Sequence, residues 1–559
     1  MKKQVYFILF GGFLMVTATA PARAEKTLYD IVIKNAVVYD GVSVLEQHAD
    51  VAITGDTIRA VGKIAPGKGR VVIDAKGLVL APGFIDAHTH SDFNPMIYPG
   101  LSNKILQGVT TEITGNCGMS AAPVLGEHAV EVQQVWAREG VSIPKKLAWG
   151  DFKTYAASMR KAGLVTNHAA LVGHGNLRGA VMGFAARKPT RGEMKAMKKL
   201  LEESLRDGAA GLSFGLVYLP GIYADAEEIA ELCSAVKKQD GVCAFHIRSE
   251  GERLTESIRE ALEAGKATGV KIQLSHLKAG GKKNWPKIEE VFQLIESYRQ
   301  QGVRVAADVY PYTAGYAELA AVLPPFYYEM KDRLAFFKNS AHYSEIEARL
   351  RDYYSGQPNK WKEVAVGAIP GGQFPAYEGL TLHAIAKKTK RTPERVLIEL
   401  LAATDFEVSA FYFSQSEAVV EKVLLAPYTA VGSDSIADGS TYPHPRAFGT
   451  FPRIFSKYVR GSSKLLPGRA VRKMTSEPAR QFGLKDRGEI RAGYKADLVL
   501  FSLAEIQDKS DYGHPRLESE GVRWVFVNGV PAVKDGKFQG RHAGVLLKTR
   551  ENRKAEAPR

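Results

Sequence analysis

The sequence predicts an α/β fold: a TIM-like (β/α)8 barrel carrying an inserted subdomain, with a small β-sandwich made by the N- and C-terminal segments. Three observations predict it. Strand-like stretches separated by Gly and Asp turns fill residues 29 to 80. Similar stretches return near the C-terminus. Between them, apolar runs of four to seven residues alternate with amphipathic helical segments, which is the pattern of parallel strands joined by crossover helices.

Taken in order, residues 1–24 stand apart. Lys2 and Lys3 precede an apolar stretch at 5–16, and Ala22-Arg23-Ala24 is a small-x-small sequence. That is the pattern of a secretory signal peptide, so a periplasmic or secreted protein is expected. The stretch is short for a membrane span, and no later one is long and apolar enough. No integral membrane segment is therefore expected after cleavage.

Residues 25–82 read as the N-terminal part of the sandwich, with strands near 30–34, 49–53, 57–61 and 70–74. Residues 83–478 read as the barrel. Its strand-like runs include 169–172, 242–245, 270–274, 303–307 and 429–431. Its helical segments include 191–206, 225–239, 254–269, 285–301 and 392–403. The alternation breaks at about 315–375, which reads as an inserted subdomain or lid. Residues 479–545 read as the C-terminal part of the sandwich, with strands at 496–501 and 522–527 before the hairpin-type turn Asn528-Gly529. A basic tail, 546–559, is expected not to fold from Lys548 onward.

The 559 residues are 45% hydrophobic and 24% charged, an ordinary globular composition. The net charge of +15 falls to +12 once Lys2, Lys3 and Arg23 leave with the signal. A basic surface attracts anionic molecules, but no nucleic-acid motif is present, so no nucleic-acid partner is expected. Three cysteines do not make a disulfide scaffold. Cys233 and Cys243 could pair or remain two buried thiols.

Several residues carry chemistry. The segment Pro82-Gly83-Phe84-Ile85-Asp86-Ala87-His88-Thr89-His90 ends an apolar run in His-x-His. Residues i and i+2 of a strand point the same way, so both imidazoles can face one metal. Cys117 lies in Gly115-Asn116-Cys117-Gly118, and a thiolate is a good zinc ligand that can lie between two metals. His246 and His276 each follow an apolar run, where a barrel strand meets its loop. That face carries catalytic residues in barrels. Asp434, in Gly432-Ser433-Asp434, is placed the same way, and Asp308 follows another apolar run. Each residue alone has an ordinary structural reading. Together, four imidazoles, a thiolate and a carboxylate form a donor set suited to zinc. Zinc lowers the pKa of a water it holds to about 7. A neighbouring carboxylate can take that water's proton and pass it to a leaving nitrogen.

These residues resemble the amidohydrolase superfamily and, within it, the N-acyl-D-amino-acid deacylases, or D-aminoacylases. The likeness covers nearly the whole mature chain. It includes the His88/His90 and Cys117 motifs, His246-Ile247-Arg248-Ser249-Glu250, Ser275-His276-Leu277-Lys278, Asp308-Val309-Tyr310-Pro311-Tyr312, Gly432-Ser433-Asp434, His444-Pro445-Arg446 and the segment 488–499. The cysteine discriminates most, because many relatives bridge two metals with a carboxylated lysine instead. The resemblance implies one tight zinc held by Cys117, His246 and His276. It implies a second, weaker or optional metal at His88 and His90, with Cys117 able to bridge. It implies that Asp434 acts as base and then acid and touches the weaker metal.

It further implies Lys278 and Arg446 as anchors for a substrate carboxylate, and Tyr310 and Tyr218 beside the carboxylate or the scissile carbonyl. For each of these four, a solvated charge or a packed aromatic is the plain alternative. Arg248 and Glu250 are expected to pair behind the ligands rather than to act in catalysis. The expected partner is a small N-acyl amino acid or short peptide; the oligomeric state is open. Three other readings remain: a dipeptidase for peptides ending in a D-residue, a cyclic-amide hydrolase of the dihydropyrimidinase or dihydroorotase type, which the Cys117 motif disfavours, and a binding protein that kept the barrel without its chemistry.

Overall fold

The computed structural model describes residues 1, 28–126, 129, 147–328, 330, 332–435 and 439–549. The expected signal sequence lies outside the described residues, apart from Met1. Among the described residues, no helix is long and apolar enough to cross a membrane.

Eight parallel strands form the central sheet: Phe84–Asp86, Val109–Thr114, Asn167–Gly173, Gly211–Gly215, Val242–His246, Lys271–Leu274, Val305–Val309 and Thr429–Val431. Neighbours pair in chain order, and Ala87 N–H donates to Val431 O at 3.2 Å to close the first strand onto the eighth. The barrel strands are almost wholly buried, as sheets covered on both faces require. Two of them escape the sequence reading. Val109–Thr114 is rich in threonine, and Gly211–Gly215 carries little apolar bulk.

The crossover helices start where short polar side chains can cap them. Thr190 Oγ1 accepts from Glu193 N–H, and the Glu193 carboxylate accepts from Thr190 N–H, ahead of helix Arg191–Arg206. Asp225 accepts from Glu228 N–H at 2.9 Å and starts helix Ala226–Lys238. That helix has Glu227 and Glu228 in its first turn and Lys237 and Lys238 in its last, so both ends suit the helix dipole.

The two chain ends meet in a nine-stranded sheet. Its first strand, Tyr29–Val38, pairs with Gly69–Asp74 over its first half and with Val79–Pro82 over its second. A register shift lies between Ile33 and Ala36, where Asn35 takes a left-handed backbone (φ 61°). The C-terminal strands Leu498–Phe501, Val522–Val527 and Val530–Lys534 extend the same sheet. Ile33, Val51, Leu80, Leu498 and Phe526 are among the side chains of their shared core.

The inserted unit is longer than 315–375. Its three strands, Gly315–Glu318, Val364–Val366 and Ser409–Tyr412, form their own sheet, and a separate apolar core runs from Leu319 to Ala410. Helix Pro393–Ala403, which the alternation had assigned to the barrel, packs in that second core through Val396, Leu397, Leu400 and Leu401. A helical period shows which face is apolar and not which core receives it. The segment leading into the tail docks on the barrel. Residues 544–547 run beside the third barrel strand, with Val545 O accepting from His168 N–H at 2.9 Å and Leu547 N–H donating back to His168 O at 2.7 Å. Half-buried Leu546 and Leu547 pack against the barrel's apolar core and make this docking favourable; residues 550–559 lie outside the described residues.

Candidate active site and metal centre

The candidate residues arrive at one rim of the barrel from different strands. His88 and His90 follow the first strand, Cys117 the second, His276 the sixth and Asp434 the eighth, while His246 ends the fifth. Three of them, Cys117 (φ 55°), His276 (φ 35°) and Asp434 (φ 49°), hold left-handed backbone conformations. Such conformations cost about 1–3 kcal/mol each for a residue other than glycine and cluster at functional sites. Two glycines allow the approach. A Cβ on Gly118 would stand 2.4 Å from Gly215 N, and one on Gly432 would stand 2.6 Å from His88 Cβ.

Cys117 is central. Its Sγ lies 3.4 Å from His88 Nε2 and 3.5 Å from His276 Nε2. Asp434 Oδ1 lies 3.4 Å from His88 Nε2 and 3.2 Å from His90 Nε2. One ligand atom from each of His88, Cys117, His276 and Asp434 falls within 4.8 Å of the others. His246, Glu250 and His276 form a second such group, with the His246 and His276 ring centroids 4.5 Å apart. The imidazole of His246 also reaches the Cys117 thiol. The larger grouping joins Cys117 and His276 with His88 and Asp434, whereas the family likeness implied Cys117 and His276 with His246.

The cluster's charges support one another. Burial opposes ionisation of Cys117, yet the His88 and His276 imidazoles hold its pKa well below the usual thiol value. Burial likewise opposes ionisation of Asp434, and Arg446 with the histidines holds that carboxyl well below its usual range. A buried thiolate, carboxylate and imidazoles at these separations fit a divalent ion such as zinc. The Nδ1 atoms of His90 and His246 are buried without a hydrogen-bond partner among the described residues, which suits that reading.

Supporting carboxylates stand behind the rings. Asp308 Oδ1 is 3.2 Å from His88 Nδ1, and Glu250 Oε1 is 3.0 Å from His276 Nδ1. Glu250 does not pair with Arg248. Arg248 Nε instead lies 2.8 Å from Glu260 Oε2, and Glu250 Oε1 takes Lys278 Nζ at 2.5 Å. Arg248 and Glu250 share one sequence motif, but the motif cannot supply the competing helix residue Glu260.

The expected substrate anchors already have partners. Lys278 Nζ is 2.8 Å from His276 Nδ1, besides its contact with Glu250. Arg446 NH1 is 2.9 Å from Asp434 Oδ2. Buried Tyr310 lies beneath both cations, 4.6 Å from the Arg446 guanidinium and 5.6 Å from Lys278 Nζ, and its OH accepts from Gln415 Nε2 at 3.0 Å. The half-buried Tyr218 ring lies 4.8 Å from that of His246. His444 belongs to the scaffold: its Nδ1 accepts the Arg446 N–H at 3.0 Å.

Sequence reasoning missed a buried support, Asp86–Lys104–Ser433. Lys104 Nζ donates to Asp86 Oδ2 at 2.5 Å and to Ser433 Oγ at 2.6 Å, while Asp86 Oδ1 accepts Ser433 N–H at 2.8 Å. Asp86 stood two residues before His88 and could have been read as sharing its face. Nothing local marked Lys104.

The pattern of the amidohydrolase family matches residues 71–322 and 423–533. The chain is 32% identical to a D-aminoacylase of Alcaligenes xylosoxydans xylosoxydans, over 94% of this chain and 99% of that one. The chain belongs to the amidohydrolase family, in its N-acyl-D-amino-acid deacylase branch. Solved structures agree with the placement of this amidohydrolase. An N-acyl-D-glutamate deacylase of Bordetella bronchiseptica, complexed with zinc and a phosphonate mimic of the tetrahedral intermediate, superposes with a TM-score of 0.77 at 29% identity, covering 93% of this chain and all of that one. A D-aminoacylase with a binuclear metal centre, activated by one metal and attenuated by a second, gives 0.76 at 32% identity, with coverage of 93% and 100%. The gap between the two matched stretches coincides with the inserted unit and its separate core.

Proposed function

We propose that this amidohydrolase cleaves the amide bond of N-acyl-D-amino acids, releasing a carboxylate and a free D-amino acid, with zinc held among His88, His90, Cys117, His246, His276 and Asp434. One observation carries the reading: thiol, imidazole and carboxylate atoms from four separate parts of the chain converge within 4.8 Å around Cys117. The zinc-containing and D-selective relatives support it. The position of Cys117 between His88 and His276 supports one tightly held ion with room for a second, weaker one.

When bound, zinc supplies Lewis acidity toward the acyl carbonyl and makes water nucleophilic at neutral pH. Asp434, ionised at neutral pH, accepts the proton of the attacking water and returns it to the departing nitrogen. Arg446 and His90 hold the two Asp434 oxygens in place for both transfers. Arg446 and Lys278 bind the substrate carboxylate over the face of Tyr310. Tyr218, beside His246, faces the oxygen side of the carbonyl. The Lys2–Ala24 pattern supports action in the periplasm or outside the cell.

The test is a hydrolysis panel of N-acetyl-D- and N-acetyl-L-amino acids with and without added zinc. Release of free amino acid from the D-series only, lost on chelation and restored by zinc, is the expected result. Zinc-loaded protein that releases no D-amino acid, or that prefers the L-series, counts against the reading.

A further inference from the structure

Two of the three cysteines stand outside the candidate metal site, and they face each other. Cys233 lies on helix Ala226–Lys238, and Cys243 lies on the barrel strand that follows it, Val242–His246. Both are fully buried, and their Sγ atoms are 2.9 Å apart. Nonbonded carbon atoms rest at roughly 3.5–4.0 Å and sulfur is larger than carbon, so the two sulfurs sit inside ordinary contact distance. The connection that brings them together is short and fixed: Gln239 N–H and Gly241 N–H both donate to Val236 O at 3.1 Å, with Asp240 in a left-handed conformation (φ 52°). Leu232 and Val236 of the helix are buried in the same core as Cys243 and Phe245.

We propose that Cys233 and Cys243 form a disulfide in the exported protein, which staples the helix to the strand that ends in His246. The bond rests on export to an oxidising compartment and is independent of the substrate assignment. The chemistry is thiol–disulfide exchange. One cysteine loses its proton and attacks a sulfur of an oxidant disulfide, and the oxidant's other sulfur leaves as a thiolate. The second cysteine then attacks the mixed disulfide, closing the Sγ–Sγ bond and releasing the oxidant's remaining thiolate. Two protons and two electrons leave the cysteine pair, and the oxidant becomes two thiols. Burial also raises the Cys243 thiol well above its ordinary pKa, so the exchange belongs to folding, before the helix closes on the strand. Once closed, the bond is shielded from reductants, and Cys117 is kept from mispairing by its place in the cluster.

The test uses full-length protein recovered from the periplasm, and the same protein refolded with a mixture of reduced and oxidised glutathione. Each is denatured with iodoacetamide and without reductant, then weighed and digested. One alkylated cysteine, Cys117, and a peptide joining residues 233 and 243 are expected. Full reduction before alkylation should give three alkylated cysteines. Three alkylated cysteines in both unreduced samples, or a bond that includes Cys117, overturns the proposal. A second reading uses stability. Reductant in denaturant should lower the unfolding midpoint of the wild type and leave that of the double variant C233A/C243A unmoved. Equal insensitivity in both proteins also overturns the proposal.

Discussion

Asp308 Oδ1 lies 3.2 Å from His88 Nδ1, with both side chains buried at the histidine–cysteine cluster. The same oxygen accepts the backbone N–H of His276 at 2.7 Å, and Oδ2 accepts from Gln273 at 2.7 Å. One carboxylate on the seventh barrel strand thus aims the ring of His88 and fixes the left-handed turn that carries His276. Carboxylates behind metal-bound histidines set the tautomer and raise ligand basicity.

The variant Asp308→Asn keeps the shape and removes the charge. Zinc affinity should fall by roughly 10–100-fold, in line with other supporting carboxylates. Competition with a chromogenic chelator measures it directly. An affinity within twofold of wild type would mean that Asp308 only packs the strand end.

Asp434→Asn separates proton transfer from metal binding. The amide retains an oxygen beside His88 and His90 but cannot take a proton from water. Turnover should fall by about 10²–10⁴-fold, the usual weight of a general base, while zinc content stays near that of wild type. Cys117→Ala should behave oppositely and lose zinc first, because the sulfur lies between His88 and His276. Near-normal kcat in Asp434→Asn, or full zinc occupancy in Cys117→Ala, contradicts the respective assignment.

Much of this arrangement could be read from the chain. His88 and His90 were visible because two residues on one side of a strand end share a direction, and His246, His276 and Asp434 because each closes an apolar run. The barrel was legible from alternation. The inserted unit's true length was not, since helix Pro393–Ala403 has the same apolar period whichever core it enters. The partners of Glu250 and Arg446 were not legible either. Those contacts join residues 28 and 12 positions apart through the fold of the rim, and sequence spacing does not report which of several cations a buried carboxylate will choose.

Lys104 tests how far a buried ion pair supports the site from behind. Its ammonium lies against Asp86 and Ser433, with side-chain exposures of 6% for Lys104 and 0% for Asp86. Lys104→Met leaves the Asp86 charge buried without its counterion. Breaking such a pair costs about 3–5 kcal/mol, so the guanidinium unfolding midpoint should drop clearly. Adding Asp86→Asn should recover part of the loss, because the stranded charge is then gone. A single variant as stable as wild type would show that water reaches Asp86 and replaces the lysine.

Lys473 gives a pH dependence whose sign is fixed. Its ammonium is buried at the end of helix Pro467–Lys473 and donates to Ala426 O at 2.7 Å and Thr429 O at 2.9 Å, beside the start of the eighth barrel strand. Burial disfavours the charge and brings the pKa down to about 8, against the partial relief from Glu477. In the unfolded chain the group titrates near 10.4. Between these values the unfolded state holds more protons than the folded one, so stability rises with pH. Below about 8 both states are charged and this contribution is flat. The gain across the window is on the order of 3 kcal/mol. Lys473→Met removes the titration, so the unfolding midpoints of wild type and variant, compared from pH 7.5 to 10, should diverge in favour of the wild type as pH rises. Parallel profiles would mean that the ammonium keeps an ordinary pKa through water that reaches it in the folded protein.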